Sequence, residues 1–296
     1  MRGLGPLRAL DERDQLGEAS TPAGLLAMSA NDLTKWLQLQ LAHGRSPSGT
    51  RVFSDSSAAA MWDPQVIEPQ GPQPAGLEGL KALFKAYALG WEVSDYGGER
   101  IVMHPGGVFG FITMVVLIPD RDVGFALTMN AEESPVLRGL TYELIDHYLG
   151  RPKVDWVARY TRYRDDRLGD ALKAVQSSAA APAKVGPSLP LSSYAGHYVD
   201  PWYGRMTIAP GGPSGLTLSF DDTPRMAGPL EHYQYDSFIV RFTDPGIEPA
   251  YVTFNIGAAG EVERIKLKPV SPTADFSFDY QDLDFAPVAA ASKEAK

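Results

Sequence analysis

Glu99 to Asn130, ERIVMHPGGVFGFITMVVLIPDRDVGFALTMN, is the stretch that decides the fold. It contains three short runs, ERIVMH, GFITMVVLIP and DVGFALTMN, rich in β-branched and aromatic residues and parted by PGG and PDRD. Such residues suit a pleated, half-buried surface, and Gly, Pro and Asp break it into turns. The pattern predicts consecutive antiparallel strands, preceded by WEVSDY (91–96) and a YGG turn signal at 96–98. From Ser134 to Leu149 the residues Val136, Leu137, Leu140, Leu144, Ile145 and Tyr148 recur at helical spacing, so a helix is predicted to close the sheet on one face. A second, charged helix follows from about Val154 to Val175.

Upstream, Ser29 is placed to cap a helix in which Leu33, Trp36, Leu37 and Leu41 share a face, Asp32 lies in the first turn, and His43 and Gly44 end the run. Pro64 to Pro74 reads as an irregular loop, and GLEGLKALFKAYALG (76–90) as a further helix. Downstream, Ser177 to Pro190 has the composition of a linker. Beyond it YAGHYVD, RMTIAP, GLTLSF, RMAGPLEHY, SFIVRF, AYVTFNIG, VERIKLKP and FSFDYQDLDF read as strands about ten residues apart, the spacing of a small barrel or sandwich. Phe238/Val240/Phe242 and Phe276/Phe278/Tyr280 give such strands one inward face. No fixed-period repeat is present. The expected organisation is α+β: residues 1–150 as an antiparallel sheet with flanking helices, 151–190 as connecting helix and linker, 191–286 as an all-β barrel, and 287–296 as a frayed tail.

The 296 residues carry 27 Lys+Arg against 36 Asp+Glu, a formal charge of −9, with 44% hydrophobic and 21% charged residues. These values disfavour wholesale disorder and fibrous chains. An acidic balance with no basic, aromatic-laced stripe argues against nucleic acid and against an acidic membrane surface. The longest strongly apolar run, Phe111 to Ile118, stops at Pro119, well short of the roughly 20 residues of a membrane helix. MRGLGPLRALDERD reaches Asp11 and Glu12 before any apolar core and does not read as a signal peptide. The absence of Cys removes disulfides, thiolate metal sites and a cysteine nucleophile together.

Five histidines, His43, His104, His147, His197 and His232, are available as metal ligands, but no two share a short ligand spacing and His-Glu-x-x-His does not occur. The pairs Asp165/Asp166 and Glu132/Glu133 read as solvated faces. HPGGVFGF (104–111) departs from Gly-x-Gly-x-x-Gly and precedes a strand rather than a helix, so it is a poor phosphate loop, and Gly-x-Ser-x-Gly is absent. What remains is His104 at a strand end, followed by glycines; on spacing alone this is a hairpin turn beside an incidental His.

The ordered series STPAGLLAMSANDLTKWLQLQL (20–41), YALGWEV (87–93), Glu99 to Asn130 and the closing helix resembles the C-terminal half of the serine β-lactamase-like superfamily. That group includes class C β-lactamases, penicillin-binding proteins, D-aminopeptidases and esterases. The match runs from about Thr21 to Leu149. Leu191 to Phe285 resembles the lipocalin-like accessory barrel of some members. The resemblance implies a serine hydrolase acting on amide or ester carbonyls of a small-molecule or peptide substrate, with no metal or organic cofactor. His104, Pro105 and Gly106 occupy the place of the family's Lys-Thr-Gly or His-x-Gly triplet. By that analogy His104 faces the substrate, Gly106 leaves the backbone open and the Gly107 N–H is an oxyanion donor. Pro105 offers neither hydroxyl nor N–H, which leans toward esterase- or peptidase-like relatives.

The family chemistry also needs Ser-x-x-Lys and Tyr-x-Asn or Ser-x-Asn. No Ser among the 296 residues has Lys three positions on, Tyr-x-Asn is absent, and Ser29-Ala30-Asn31 reads as a helix cap. The expectation is a hydrolase domain truncated before its nucleophile: inactive alone, exposing apolar sheet surface, and completed by a separate N-terminal half. Full-length relatives are often periplasmic or secreted. The alternative is a non-catalytic binding module whose barrel holds an apolar ligand among Tyr194, Tyr198, Trp202, Tyr203, Phe238 and Phe242.

Overall fold

The structure is a computed structural model that describes residues 9–10, 21–24, 26–108, 110–178, 183–274 and 278–288. The chain divides into two compact units within one helix, between Arg167 and Leu168.

In the first unit six antiparallel strands lie in sequence order: β1 (Val66–Ile67), β2 (Lys85–Tyr87), β3 (Glu92–Tyr96), β4 (Glu99–Val108), β5 (Phe111–Ile118) and β6 (Val123–Met129). The β3–β4 hairpin turns on Gly97 and Gly98, both at positive φ (63° and 86°), as a two-residue hairpin loop demands. Alternation divides the sheet between two cores. Ile101, Met103, Met114, Val116 and Ile118 are buried with Leu137 and Ile145 of α4 (Ser134–Tyr148). Val93, Val102 and Leu117 face the other way, clustered with Leu37 of α2 (Ala30–Leu41) and Trp62 of α3 (Asp55–Trp62). The unit also contains the single turn α1 (Thr21–Gly24).

Ser29 caps α2 as expected, accepting from the Asp32 N–H while the Asp32 side chain reaches back to the cap. The second helix, α5 (Trp156–Ser178), is present too. In α4 the buried surface is wider than the apolar spacing suggests. Leu140 and Tyr148 are exposed, whereas Gly139, Thr141 and Asp146 are buried. The reason is the start of α5: a Cβ on Gly139 would lie 2.4 Å from the Val157 backbone, so only glycine permits that approach.

Three expectations for this unit need correction. PGG at 105–107 is not a turn but part of β4, paired with Met114, Thr113 and Ile112, and the chain reverses beyond Val108. GLEGLKALFKAYALG is not a helix: only Glu78–Leu80 makes a 3₁₀ turn before β2. The Asp95 carboxylate accepts from the N–H groups of Leu83 and Phe84 at 2.6 and 3.0 Å, diverting donors a helix would use and leaving both side chains exposed. The Pro64–Pro74 stretch contains β1. Glu132, Asp165 and Asp166 are exposed as expected, and the acidic groups are engaged besides: Glu132 accepts from the Gly110 N–H at 2.9 Å, and Glu133 pairs with Arg164 at 3.0 Å. Asp165 likewise pairs with Arg164.

The second unit is a closed, antiparallel eight-strand barrel in up-and-down order: β7 (Gly196–Asp200), β8 (Gly204–Pro210), β9 (Leu216–Phe220), β10 (Ala227–Gln234), β11 (Ser237–Val240), β12 (Ala250–Ile256), β13 (Val262–Pro269) and β14 (Asp284–Pro287), with β14 returning to β7. Closure removes the free edges. Phe238, Val240 and Phe242 are buried. The last run differs from expectation: Tyr280–Asp282 is a 3₁₀ turn anchored by the Tyr280 hydroxyl on the Glu248 carbonyl at 2.6 Å, and β14 begins only at Asp284. Phe276 of the expected alternation lies outside the described residues.

Candidate active site

His104 lies on β4 opposite Val115, on the sheet face of Val102 and Leu117. Helices α2 and α3 cover the lower part of that face. Gly106 and Gly107 are exposed, and a Cβ on either would meet nothing closer than 3.8 Å, so neither glycine is dictated by packing.

The hairpin registers fix where the β4 backbone points. Val108 and Phe111 close one two-residue loop and Tyr96 and Glu99 the other, so their N–H and C=O groups exchange hydrogen bonds across each closing pair. Counting by twos, His104 and Gly106 bond toward β5, whereas Met103, Pro105 and Gly107 point to the β3 side. Strand β3 ends at Glu92, opposite Met103. Beyond it, among the described residues, no strand pairs with that edge of β4. The missing N–H of Pro105 therefore breaks no ladder bond, and the Gly107 N–H lies outside the ladder, on the side of β4 that no strand pairs among the described residues.

Tyr87, at the end of β2, brings its hydroxyl to 3.3 Å from His104 Nε2, with ring centroids 6.3 Å apart. The contact is thus made by polar tips rather than by stacking. Backbone bonds fix Tyr87: its carbonyl accepts from Gln65 at 3.0 Å, and Ala88 N–H donates to the Trp91 carbonyl at 2.7 Å across the turn at Gly90. Lys85 of the same strand lies 2.8 Å from Glu68 and 3.2 Å from Glu92; burial, which alone lowers its pKa, is outweighed by these carboxylates, and the ammonium is held above its ordinary value. Sequence reasoning singled out His104, Gly106 and Gly107 but missed Tyr87. The available signal was the YALGWEV segment, whose register on β3 only the fold reveals.

Two concavities of the unit lie away from His104, around the C-terminus of α4. One of about 310 Å³ is lined by Glu143, Asp146, His147, Arg151, Lys153 and Val154, and one of about 210 Å³ includes Tyr96, Trp156 and Arg159. Asp146 is their floor and is fully engaged. It accepts from the Tyr96 hydroxyl at 2.8 Å and Trp156 Nε1 at 2.7 Å and lies 3.2 Å from Arg151 Nε. Burial first, and then the Asp146 carboxylate, raise the Tyr96 pKa. This is an internal anchor. The surface around His104 is instead an open wall.

The other histidines are dispersed. His43 packs on Trp62, His197 bonds to Thr207, and His232 to the Tyr235 carbonyl. Among the described residues no group of three or more His, Cys, Asp or Glu is placed to hold a metal, and no helix is long and apolar enough to cross a membrane. In the barrel, Tyr194, Phe238 and Phe254 stack edge to face at 4.8–5.4 Å and Tyr198 donates to the Tyr194 carbonyl, so these aromatics fill the interior rather than line a cavity. Trp202 is 86% exposed.

The first unit is thus a helix-flanked antiparallel sheet that carries His104-Pro105-Gly106 on a strand which, beyond Met103, pairs on one side only among the described residues. Residues 3–149 match the family described as Beta-lactamase, and this part of the chain belongs to the β-lactamase-like superfamily. Residues 180–287 match the family described as Domain of unknown function (DUF3471). Among similar proteins, Unguisins hydrolase ungD of Aspergillus violaceofuscus (strain CBS 115571) is 34% identical over 131 residues, covering 42% of this chain and 23% of the relative. Unguisins hydrolase ungD' of Aspergillus campestris (strain IBT 28561) is 29% identical over 194 residues, 63% of this chain and 34% of the relative. Penicillin-binding protein 4 of Amycolatopsis lactamdurans is 29% identical over 118 residues, 40% of this chain and 29% of the relative. The chain thus spans about a quarter to a third of these relatives.

Proposed function

We propose that this chain supplies one wall of an acyl-serine hydrolase site acting on amide or ester carbonyls, and that the serine nucleophile and its lysine lie on chain outside residues 1–296. The carrying observation is the Gly107 N–H, which the register turns to the side of β4 that no strand pairs among the described residues, on an exposed residue three positions from His104. A preorganised backbone donor there fits the oxyanion that forms when a hydroxyl attacks a carbonyl. His104 holds or polarises the oxygen-bearing group of the substrate, and Gly106 keeps the approach clear. Relatives named as hydrolases of unguisins and as a penicillin-binding protein support a hydrolytic reading.

Residues 1–296 hold no Ser-x-x-Lys, so the covalent step cannot be assembled from them in the family's manner, and the chain is inactive alone. Complementation tests this reading. Mixing the chain with a polypeptide that bears the family's Ser-x-x-Lys and Tyr-x-Asn segments is expected to produce ester hydrolysis that neither shows alone. Gly107→Pro, which deletes a donor outside the strand ladder, is expected to lower the rate of the mixture by about 10²–10³-fold. Equal hydrolysis by the mixture and its Gly107→Pro version contradicts the oxyanion assignment, and no gain on mixing contradicts the function.

A further inference from the structure

We propose that Tyr87 is a positioning residue for His104: its hydroxyl donates to Nε2 and holds the imidazole as the Nδ1–H tautomer, so that His104 presents a neutral N–H donor to the substrate. The inference rests on the reading of His104 as a pocket-wall residue and adds the form in which it acts.

The geometry leaves few choices. The Tyr87 hydroxyl and His104 Nε2 are 3.3 Å apart. Both side chains sit on backbone fixed by pairing: Tyr87 opposite Val66 and Glu92, His104 opposite Val115. A phenol has one proton and an oxygen that accepts weakly, whereas a neutral imidazole nitrogen is a strong acceptor, so the favoured bond runs from Oη–H to Nε2. Which ring nitrogen carries the proton is set by the bond the other makes. With Nε2 engaged as an acceptor, the proton resides on Nδ1, and no hydrogen bond occupies that nitrogen among the described residues. An N–H there suits a carbonyl or carboxylate oxygen of the substrate. It does not suit a base that must accept a proton at the same nitrogen. Tyr87 is 37% exposed, so its hydroxyl, not its burial, is what this arrangement uses.

The test reads the imidazole nitrogens of the full chain by nitrogen-15 NMR above the imidazole titration. The chain has five histidines, and the signal lost in His104→Gln identifies the one in question. Wild-type His104 is expected as the Nδ1–H tautomer, and Tyr87→Phe is expected to shift it to mainly Nε2–H while the other four signals stay in place. A wild-type Nε2–H tautomer overturns the proposal even if Tyr87→Phe does not fold, and so does an Nδ1–H tautomer that persists in a folded Tyr87→Phe chain. In the complemented mixture Tyr87→Phe is expected to lower kcat several-fold with KM unchanged. A correct tautomer together with no hydrolysis on mixing refutes the hydrolase reading and leaves the Tyr87–His104 coupling standing, so the two failures are distinguishable.

Discussion

Replacing Asp146 with Ala removes the anchor that ties the end of β3 to α4 and the start of α5. The carboxylate is 3% exposed and its two neutral donors, Tyr96 and Trp156, are 6% and 2% exposed, so in the native fold both donors depend on Asp146 rather than on water. A buried donor left without a partner costs about 1–3 kcal/mol, and two such groups give about 2–6 kcal/mol. The Arg151 side chain is 41% exposed and rehydrates, which limits its share to about 0–1 kcal/mol. Together these give about 2–7 kcal/mol, and the middle of that range, about 3–5 kcal/mol, matches the cost of breaking a buried pair from one side. In urea, with a slope of about 2 kcal/mol/M, the midpoint falls by about 1.5–2.5 M. Asp146→Asn keeps one acceptor oxygen and is expected to lose less. Tyr96→Phe in the Asp146→Ala background is expected to cost less than in wild type, because the orphaned hydroxyl is removed with its penalty. A midpoint for Asp146→Ala within about 0.3 M of wild type, equivalent to roughly 0.5 kcal/mol, refutes this anchor as a source of stability.

Other substitutions probe separate features. Gly139→Ala gains about 1 kcal/mol of helix propensity but drives a methyl into the Val157 backbone, and the clash is expected to dominate, with a net loss of about 1–2 kcal/mol by thermal melting. Ser29→Ala deletes the capping box of α2 and is expected to cost about 1 kcal/mol, read from the same melts. Burial raises the Tyr198 pKa to about 12. The unfolded phenol ionises near about 10, so the stabilisation is complete below that pH and is lost as pH rises toward 12, by at most about 3 kcal/mol. Urea midpoints taken across this window are expected to fall more steeply for wild type than for Tyr198→Phe.

Much of this architecture was legible in the sequence because local and tertiary preferences agree. YGG gave the β3–β4 turn because two consecutive residues there need positive φ, and Ser29 with Asp32 gave the start of α2. The stretch HPGG was misread because proline and glycine signal turns on average. Here the ladder needs no N–H at position 105, and Gly106 and Gly107 lie in extended strand, which only the register of two neighbouring hairpins reveals. Residues 76–90 carry helical apolar spacing, yet a carboxylate eleven or twelve residues later captures their N–H groups. The apolar face of α4 was legible, but its second face against Val157 was not, since Gly139 and Asp146 are not apolar signals. At the site, His104 stood out through resemblance, whereas Tyr87, seventeen residues earlier, reaches it only through the geometry of the paired strands.

The central claim is that these residues wall a hydrolytic site without carrying its nucleophile, and intact-mass analysis after fluorophosphonate treatment tests it most directly. The purified chain is predicted to keep its unmodified mass, with the label appearing on the Ser-x-x-Lys polypeptide when the two are combined. A stoichiometric adduct on a serine within residues 1–296 contradicts the account.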